Sequence, residues 1–468
     1  MATVLIAVPA LTSAVNATRK IARDLRARGH VVHYIGHPGC DRVFGKEGWV
    51  RVFPSLEETA GASLQTSHPT LTTALRNARM VAKRHHKLIQ SLQGGEFEGF
   101  DRVIQSMRPD LLMIVSSTNY AVLWALLAYQ FALPILLLND SLTRSVSSTI
   151  PPMRSHFIPN EKWWSRLRTA LEWKLLAARL WPRRFYSHHI LQINWNRLTK
   201  SYAETLGFPA GLVAEHECFF LRVKAPEVVL MPAAFDFPAA TEPGRYYSSA
   251  SVDLERTEAA FPWERLHPQR KLIYCSLGTV PCLPAATYRK FYRALIGAFA
   301  RLKGQYELVI ATGCTYGDDL VTTPLPEQIT IVGVAPQIAL LQRASIMVTH
   351  GGASSLRECM TIGVPMLVYP IPSSFDNAGM AARVVYHGVG LRLNAPDETE
   401  IHEKLTELLS VSCYRLQATY MSKQFLQAER DCAASDVIDE VLESVSRQKN
   451  CDLELRSAGY RIGHASSR

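Results

Sequence analysis

Short apolar runs recur along this chain, and stretches with helical spacing separate them. The first run, TVLIAVP, occupies 3–9; Ile21 and Leu25 then lie four apart within 16–28, Gly29 stops the pattern, and HVVHYIG fills 30–36. Apolar strands joined by an amphipathic crossover predict a parallel βαβ unit whose strands are buried on both faces. Residues 111–138 are the one stretch that could pose as a membrane span. Ser116, Ser117, Thr118, Asn119 and Gln130 dilute it and Pro134 interrupts it, so it reads as strand 111–115, helix 119–131 and strand 134–138. VVLMP at 228–232 closes this half. Residues 233–270, rich in Pro, Ala, Ser and charge, read as an interdomain linker.

The second half repeats the grammar, with strands at 272–276, 306–312, 329–332, 346–350 and 365–370 and helices between them, one near 286–302. Two halves of this kind predict an α/β protein with two Rossmann-like domains facing across a cleft, over 1–240 and 241–425. A long helix is expected over 419–446, and the polar, basic stretch 448–468 is expected to be a disordered tail.

Composition narrows the picture. With 468 residues, 47% hydrophobic and 20% charged, neither a wholly disordered chain nor a polytopic membrane protein fits. Nine cysteines without a C-x-x-C pair argue against a disulfide framework or structural zinc. The first run has no basic region before it, so it reads as a strand and a cytoplasmic protein is expected. The net charge of +10 is concentrated: residues 154–200 hold ten Lys/Arg and two acids, Glu161 and Glu172. Within them, 161–181 fits a helix with Trp164, Leu167, Leu171, Leu175 and Ala178 on one stripe, Arg166, Arg168 and Arg179 off it, and Pro182 ending it. Either this helix packs inside the N-terminal domain, or the stretch from Trp163 to Trp181 makes a peripheral contact with a lipid-like acceptor or a membrane. Nucleic acid is not an expected partner, because the basic residues accompany an apolar stripe and no recognition module. The pair His188 and His189 reads as a solvated turn.

The chemistry concentrates in 335–390. A strand ends at His350, Gly351 and Gly352 open the next helix, and Ser354 and Ser355 sit in its first turn. Free N–H groups at a helix start, with hydroxyls and a His beside them, suit a diphosphate. Glu358, one turn on, suits ribose hydroxyls. The order P-Q, H-G-G-x-S-S, E, G-V-P, P, D-N, G-x-G resembles the donor signature of GT-B nucleotide-sugar glycosyltransferases, the UDP-glycosyltransferase or macrolide-glycosyltransferase superfamily. FDNAGMAARVVYHGVG, with FDFP at 235–238 and YCSLGT at 274–279, is most similar to the zeaxanthin (carotenoid) glucosyltransferase branch.

The resemblance implies a GT-B fold, with a 426–447 helix crossing back to the first domain. It implies an inverting transferase that moves a sugar from a UDP- or TDP-sugar co-substrate to a lipophilic small molecule, without metal or cofactor. Gln337 and the backbone at Ala335 would hold base and ribose. Ser276, Gly278 and Thr279 would lie near the diphosphate, which His350, Gly351, Gly352, Ser354 and Ser355 would hold. Glu358 would bind ribose, and Asp376 and Asn377 the sugar. A base-stacking Trp would fall at Val334. On the acceptor side the resemblance brings in Ser13, Asn16, Ser117 and Asn119. The family's base is a His, and its position aligns with Ala14; the orienting acid is also missing from VSSTNY at 115–120. An alcohol needs a base as it attacks, whereas a carboxylic acid is already ionised at neutral pH. Three readings stay open: an acceptor that is a carboxylic acid or other acidic hydroxyl, a substitute base among His156, His188, His189 and Asp140, or an inactive nucleotide-sugar-binding subunit.

Overall fold

The structure, a computed structural model, describes residues 1–37, 40–44, 48–52, 71–97, 99–116, 120–185, 195–215, 221–240, 242–279, 284–313, 326–371 and 376–457. Strands β1 (Thr3–Ala7), β2 (Val31–Gly36), β3 (Val50–Arg51), β4 (Leu111–Val115), β5 (Ile135–Asn139), β8 (Glu227–Val229) and β9 (Arg245–Tyr247) form a parallel sheet in the order β3-β2-β1-β4-β5-β8-β9. A small antiparallel pair, β6 (Val213–Glu215) and β7 (Leu221–Val223), stands apart from it. Strands β10 (Lys271–Ser276), β11 (Tyr306–Ala311), β12 (Ile329–Val332), β13 (Ala344–Thr349), β14 (Met366–Val368) and β15 (Gly390–Arg392) form the second parallel sheet, β12-β11-β10-β13-β14-β15.

Helices cover both faces of each sheet, which is why the central strands are apolar throughout. In the first half these include α1 (Thr12–Ala27), α2 (Asp41–Phe44), α3 (Leu71–Gln93), α4 (Phe100–Met107), α5 (Ala121–Gln130), α6 (Trp163–Phe185) and α7 (Trp195–Thr205). The second half adds α8 (Ala285–Ala300), α9 (Gln337–Arg343), α10 (Ala353–Ile362), α11 (Asn377–Tyr386), α12 (Glu398–Ser410), α13 (Ser412–Asp431) and α14 (Ala434–Ser457). The span-like stretch resolves as expected into β4, α5 and β5. Every residue of α5 from Ala121 to Ala128 is buried, as a helix apolar all round must be. No helix among the described residues is long and apolar enough to cross a membrane.

Several expectations are corrected. The stretch read as a linker contains β9, so the first sheet runs past residue 240 to Tyr247. The single helix expected at 419–446 is two, α13 and α14, separated at Cys432 and Ala433. Helix α14 continues to Ser457, through residues expected in the tail. It does return to the first domain, where Ala434, Ile438 and Leu442 join the core beneath Val4, Ile6 and Leu25. Helix α6 runs through Pro182 to Phe185, and it buries a different face from the predicted stripe. Ser165, Thr169, Trp173 and Leu176 face inward, while Trp164, Leu167 and Leu171 are exposed.

Candidate active site

Register places the site. Parallel strands end on one edge of their sheet, and ligands bind there. Ser276 pairs with Thr349, so the turn after β10 and His350 after β13 leave the second sheet side by side. In the first sheet Val115 pairs with Leu138, which brings Ser116 and Asp140 to the facing edge. Between the two edges lies a cleft of about 600 Å³.

Two glycines fit the chain around the His350 ring. A Cβ on Gly278 would sit 2.7 Å from it, and one on Gly352 would sit 2.6 Å away. Gly278 also has φ +87°, a conformation open to glycine and strained for other residues. Burial lowers the His350 pKa to about 4, so the ring is neutral at pH 7 and offers one N–H rather than a charge. Among the described residues its buried Nδ1 has no hydrogen-bond partner, as expected of a group reserved for a ligand. The amide of Asn377 donates to the His350 carbonyl at 2.6 Å and fixes the turn.

Further along α10, the Ser354 hydroxyl donates to the Ser13 carbonyl across the cleft at 3.2 Å and accepts from Arg357 at 3.0 Å. Glu358 is almost fully buried. Arg256 Nη1 donates to its Oε1 and Gln337 Nε2 to its Oε2, both at 2.5 Å. Gln337 is held in turn by the Tyr274 hydroxyl at 3.2 Å. Glu258 accepts from Arg256 and from the Ile338 and Ala339 N–H groups at the start of α9. A carboxylate has about four lone-pair sites, so Glu358 keeps acceptor capacity for a ligand.

Of the expected donor residues, Ser276, Gly278, Thr279, Ala335, Gln337 and His350 line the cleft. So do Gly352, Ser354, Ser355, Glu358, Asp376 and Asn377, while Gly351 lies behind the turn against Val368 and Asn377. Val334 lines the cleft and is 56% exposed. The sequence reading missed Arg256 and Glu258; an Arg-x-Glu set in a presumed linker was the only signal, and their partners in α9 and α10 lie 80 to 102 residues away in sequence.

On the opposite wall, Ser13 and Asn16 line the cleft as expected, joined by Leu11, Thr12 and Arg19. Ala14 does not. Helix α1 starts at Thr12, four residues before the predicted start, and position 14 turns into the core beside Val15 and Val8. Ser117 and Asn119 lie outside the described residues, as do His188 and His189. Of the substitute bases, Asp140 lines the cleft and His156 does not. His350 is the sole cleft-lining histidine among the described residues. Apolar Leu137, Val122, Leu221 and Val223 complete the wall, with Arg222 among them.

Two parallel α/β sheets whose strand ends face each other across a cleft define a GT-B glycosyltransferase fold. The comparisons agree with it. Residues 294–441 match the family model described as Erythromycin biosynthesis protein CIII-like, C-terminal domain. The chain is 25% identical over 231 residues to the zeaxanthin glucosyltransferase of Pantoea ananas, an alignment covering 48% of this chain and 51% of that protein. That match spans only about half the relative's length. A zeaxanthin glucosyltransferase of Pseudescherichia vulneris is 21% identical over 450 residues, 94% of this chain and 99% of the relative. The crystal structure of the glycosyltransferase of kitacinnamycin superposes with a TM-score of 0.62 at 20% identity, covering 94% of this chain and 98% of that one. The resemblance to GT-B nucleotide-sugar glycosyltransferases, first drawn from the motif, is borne out.

Proposed function

We propose that the protein transfers a sugar, with inversion, from a UDP- or TDP-sugar to a lipophilic small molecule bearing a carboxylic acid or other acidic hydroxyl. The supporting observation is the cleft itself: the residues of the donor-like motif line one wall, and the other sets apolar Val122, Leu137, Leu221 and Val223 beside polar Ser13, Asn16, Arg19, Asp140 and Arg222, with no histidine among its described residues. The acceptor oxygen would attack the anomeric carbon as the bond to the diphosphate breaks. Charge develops on the leaving diphosphate, where the α10 N–H groups and the neutral His350 N–H would meet it. Ser276 and Thr279 would bound the phosphates, Gln337 and Glu358 the nucleoside, and Asp376 and Asn377 the sugar. No metal or cofactor enters this chemistry. An acceptor already ionised at neutral pH releases no proton in the step and needs no base.

One observation supports a second reading. Asp140 lies in the cleft on the acceptor wall, where its carboxylate could take the proton of a neutral alcohol. A pH–rate profile with carboxylic, phenolic and simple alcohol acceptors separates the two. On the first reading Asp140→Asn changes the rate on the acids little, and activity falls only below the acceptor's own pKa. On the second, alcohols are turned over and Asp140→Asn lowers that rate by about 10²–10⁴-fold. Nucleotide binding without turnover of any acceptor would favour a non-catalytic subunit over both.

A further inference from the structure

Helix α6 has two faces with apolar side chains, and one of them is left exposed by the described residues. Its inner face is closed: the Trp173 indole N–H donates to the Ile150 carbonyl at 2.9 Å, and Leu176 packs beside it. Its outer face carries Trp163 (75% exposed), Leu167 (62%), Trp181 (63%), Phe185, Leu171 and Trp164. At 100° per residue these six fall within a sector of roughly 100°. Cations border that sector: Arg168 and Arg179 on one side, Arg166 on the other, with Lys174 inside it. Arg168 pairs with Glu172 at 2.9 Å. Among the described residues Arg166, Lys174 and Arg179 have no acidic partner. Trp181 and Phe185 stack on each other, centroids 5.4 Å apart, so the stripe is aromatic at both ends.

We propose that this face of α6 lies flat on an anionic bilayer surface. A 23-residue helix is about 34 Å long, enough to lay its aromatic stripe along the acyl boundary. The flanking Arg and Lys side chains extend from the helix edges to the headgroup phosphates, and their aliphatic stems cover apolar surface as they do so. Charge complementarity selects this occupant over a second copy of the chain. Pairing two such faces would set one cationic border against another, whereas an anionic headgroup layer neutralises both. The arrangement is separate from the cleft, and its test does not depend on sugar transfer.

The test is co-sedimentation of the full chain with phosphatidylcholine vesicles and with vesicles holding about 30% phosphatidylserine. Binding should favour the anionic vesicles by about tenfold or more and fall as salt rises from about 0.1 to 0.5 M. The pair Trp163→Ser with Trp181→Ser should lose about tenfold in partition. Arg166→Glu with Arg179→Glu should do the same through charge alone, and all four positions are exposed, so thermal unfolding should be unchanged. Equal binding to neutral and anionic vesicles would overturn the proposal. So would no binding to either, or both variants pelleting like the parent. A dimer in sedimentation velocity that Trp163→Ser dissolves, with no vesicle binding, would assign the face to a second copy instead.

Discussion

At the scale of single residues, the site depends on the absence of two side chains. Gly352 has φ −67°, which alanine accepts readily, yet its Cβ would land 2.6 Å from His350 Nε2. Gly352→Ala therefore isolates the position of the ring from backbone strain. The expected result in calorimetry is nucleoside-diphosphate binding weaker by about 1–3 kcal/mol, the value of a displaced hydrogen bond, with the melting temperature nearly unchanged. Unaltered affinity would remove His350 from the diphosphate site. Residues of this kind were legible because glycines and a His in a fixed order report a local turn. Arg256 was not legible, since its role exists only once a distant segment folds beside Glu358. Position 14, which aligns with the family's base, faces the core for a local reason the alignment does not carry: α1 begins at Thr12, so the position already lies inside the helix.

At the scale of elements, apolar runs located the ten strands assigned from them because parallel strands bury both faces. They missed five strands of two or three residues, the pair β6 and β7 and the edge strands β3, β9 and β15, of which β9 is only partly buried. An edge needs little apolar character. Helical spacing found α6 but could not say which of its two stripes meets the core; that depends on what lies across from it. Helix α14 shows the same dependence from the other side. Ile438 is fully buried against the first sheet's core, and Arg28 meets Asp436 and Asp439 at 2.5 Å along the helix edge. Truncating Ile438 to alanine should cost about 2–4 kcal/mol, measured by urea unfolding. The exposed Arg28 pairs should contribute under about 1 kcal/mol each. If Ile438→Ala left stability unchanged, the return of this helix to the first domain would be in error.

At the scale of the whole molecule, one buried ionic node ties the halves together, and it makes the fold sensitive to acid. Asp236, from the FDFP segment, accepts from Arg144 of the first half at 2.5 Å, from the Tyr247 hydroxyl at 2.6 Å, and from Arg383 of α11 at 2.9 and 2.5 Å. Burial alone would raise its pKa; Arg383 and Arg144 overcome that and hold it at about 2. The unfolded chain therefore takes up this proton first, and its stabilisation, about 2 kcal/mol, is lost as pH falls from about 4 to 2. Burial holds His350 and His85 at about 4. Their unfolded forms bind protons more readily between about 6.5 and 4, and each costs about 3 kcal/mol of stability across that window. All three effects have the same sign. Stability should fall continuously from pH 7 to pH 3, first through the histidines and then through Asp236. Removing the carboxylate differs from protonating it in solution, because Asp236→Asn leaves Arg144 and Arg383 buried without their counter-ion. That variant should lose about 3–5 kcal/mol at pH 7, and its stability should vary less between pH 4 and 3 than the parent's. Urea midpoints of both proteins at pH 7, 5, 4 and 3 decide it. A parent protein as stable at pH 4 as at pH 7, or a variant with the parent's slope below pH 4, would show that the node does not control the response to acid.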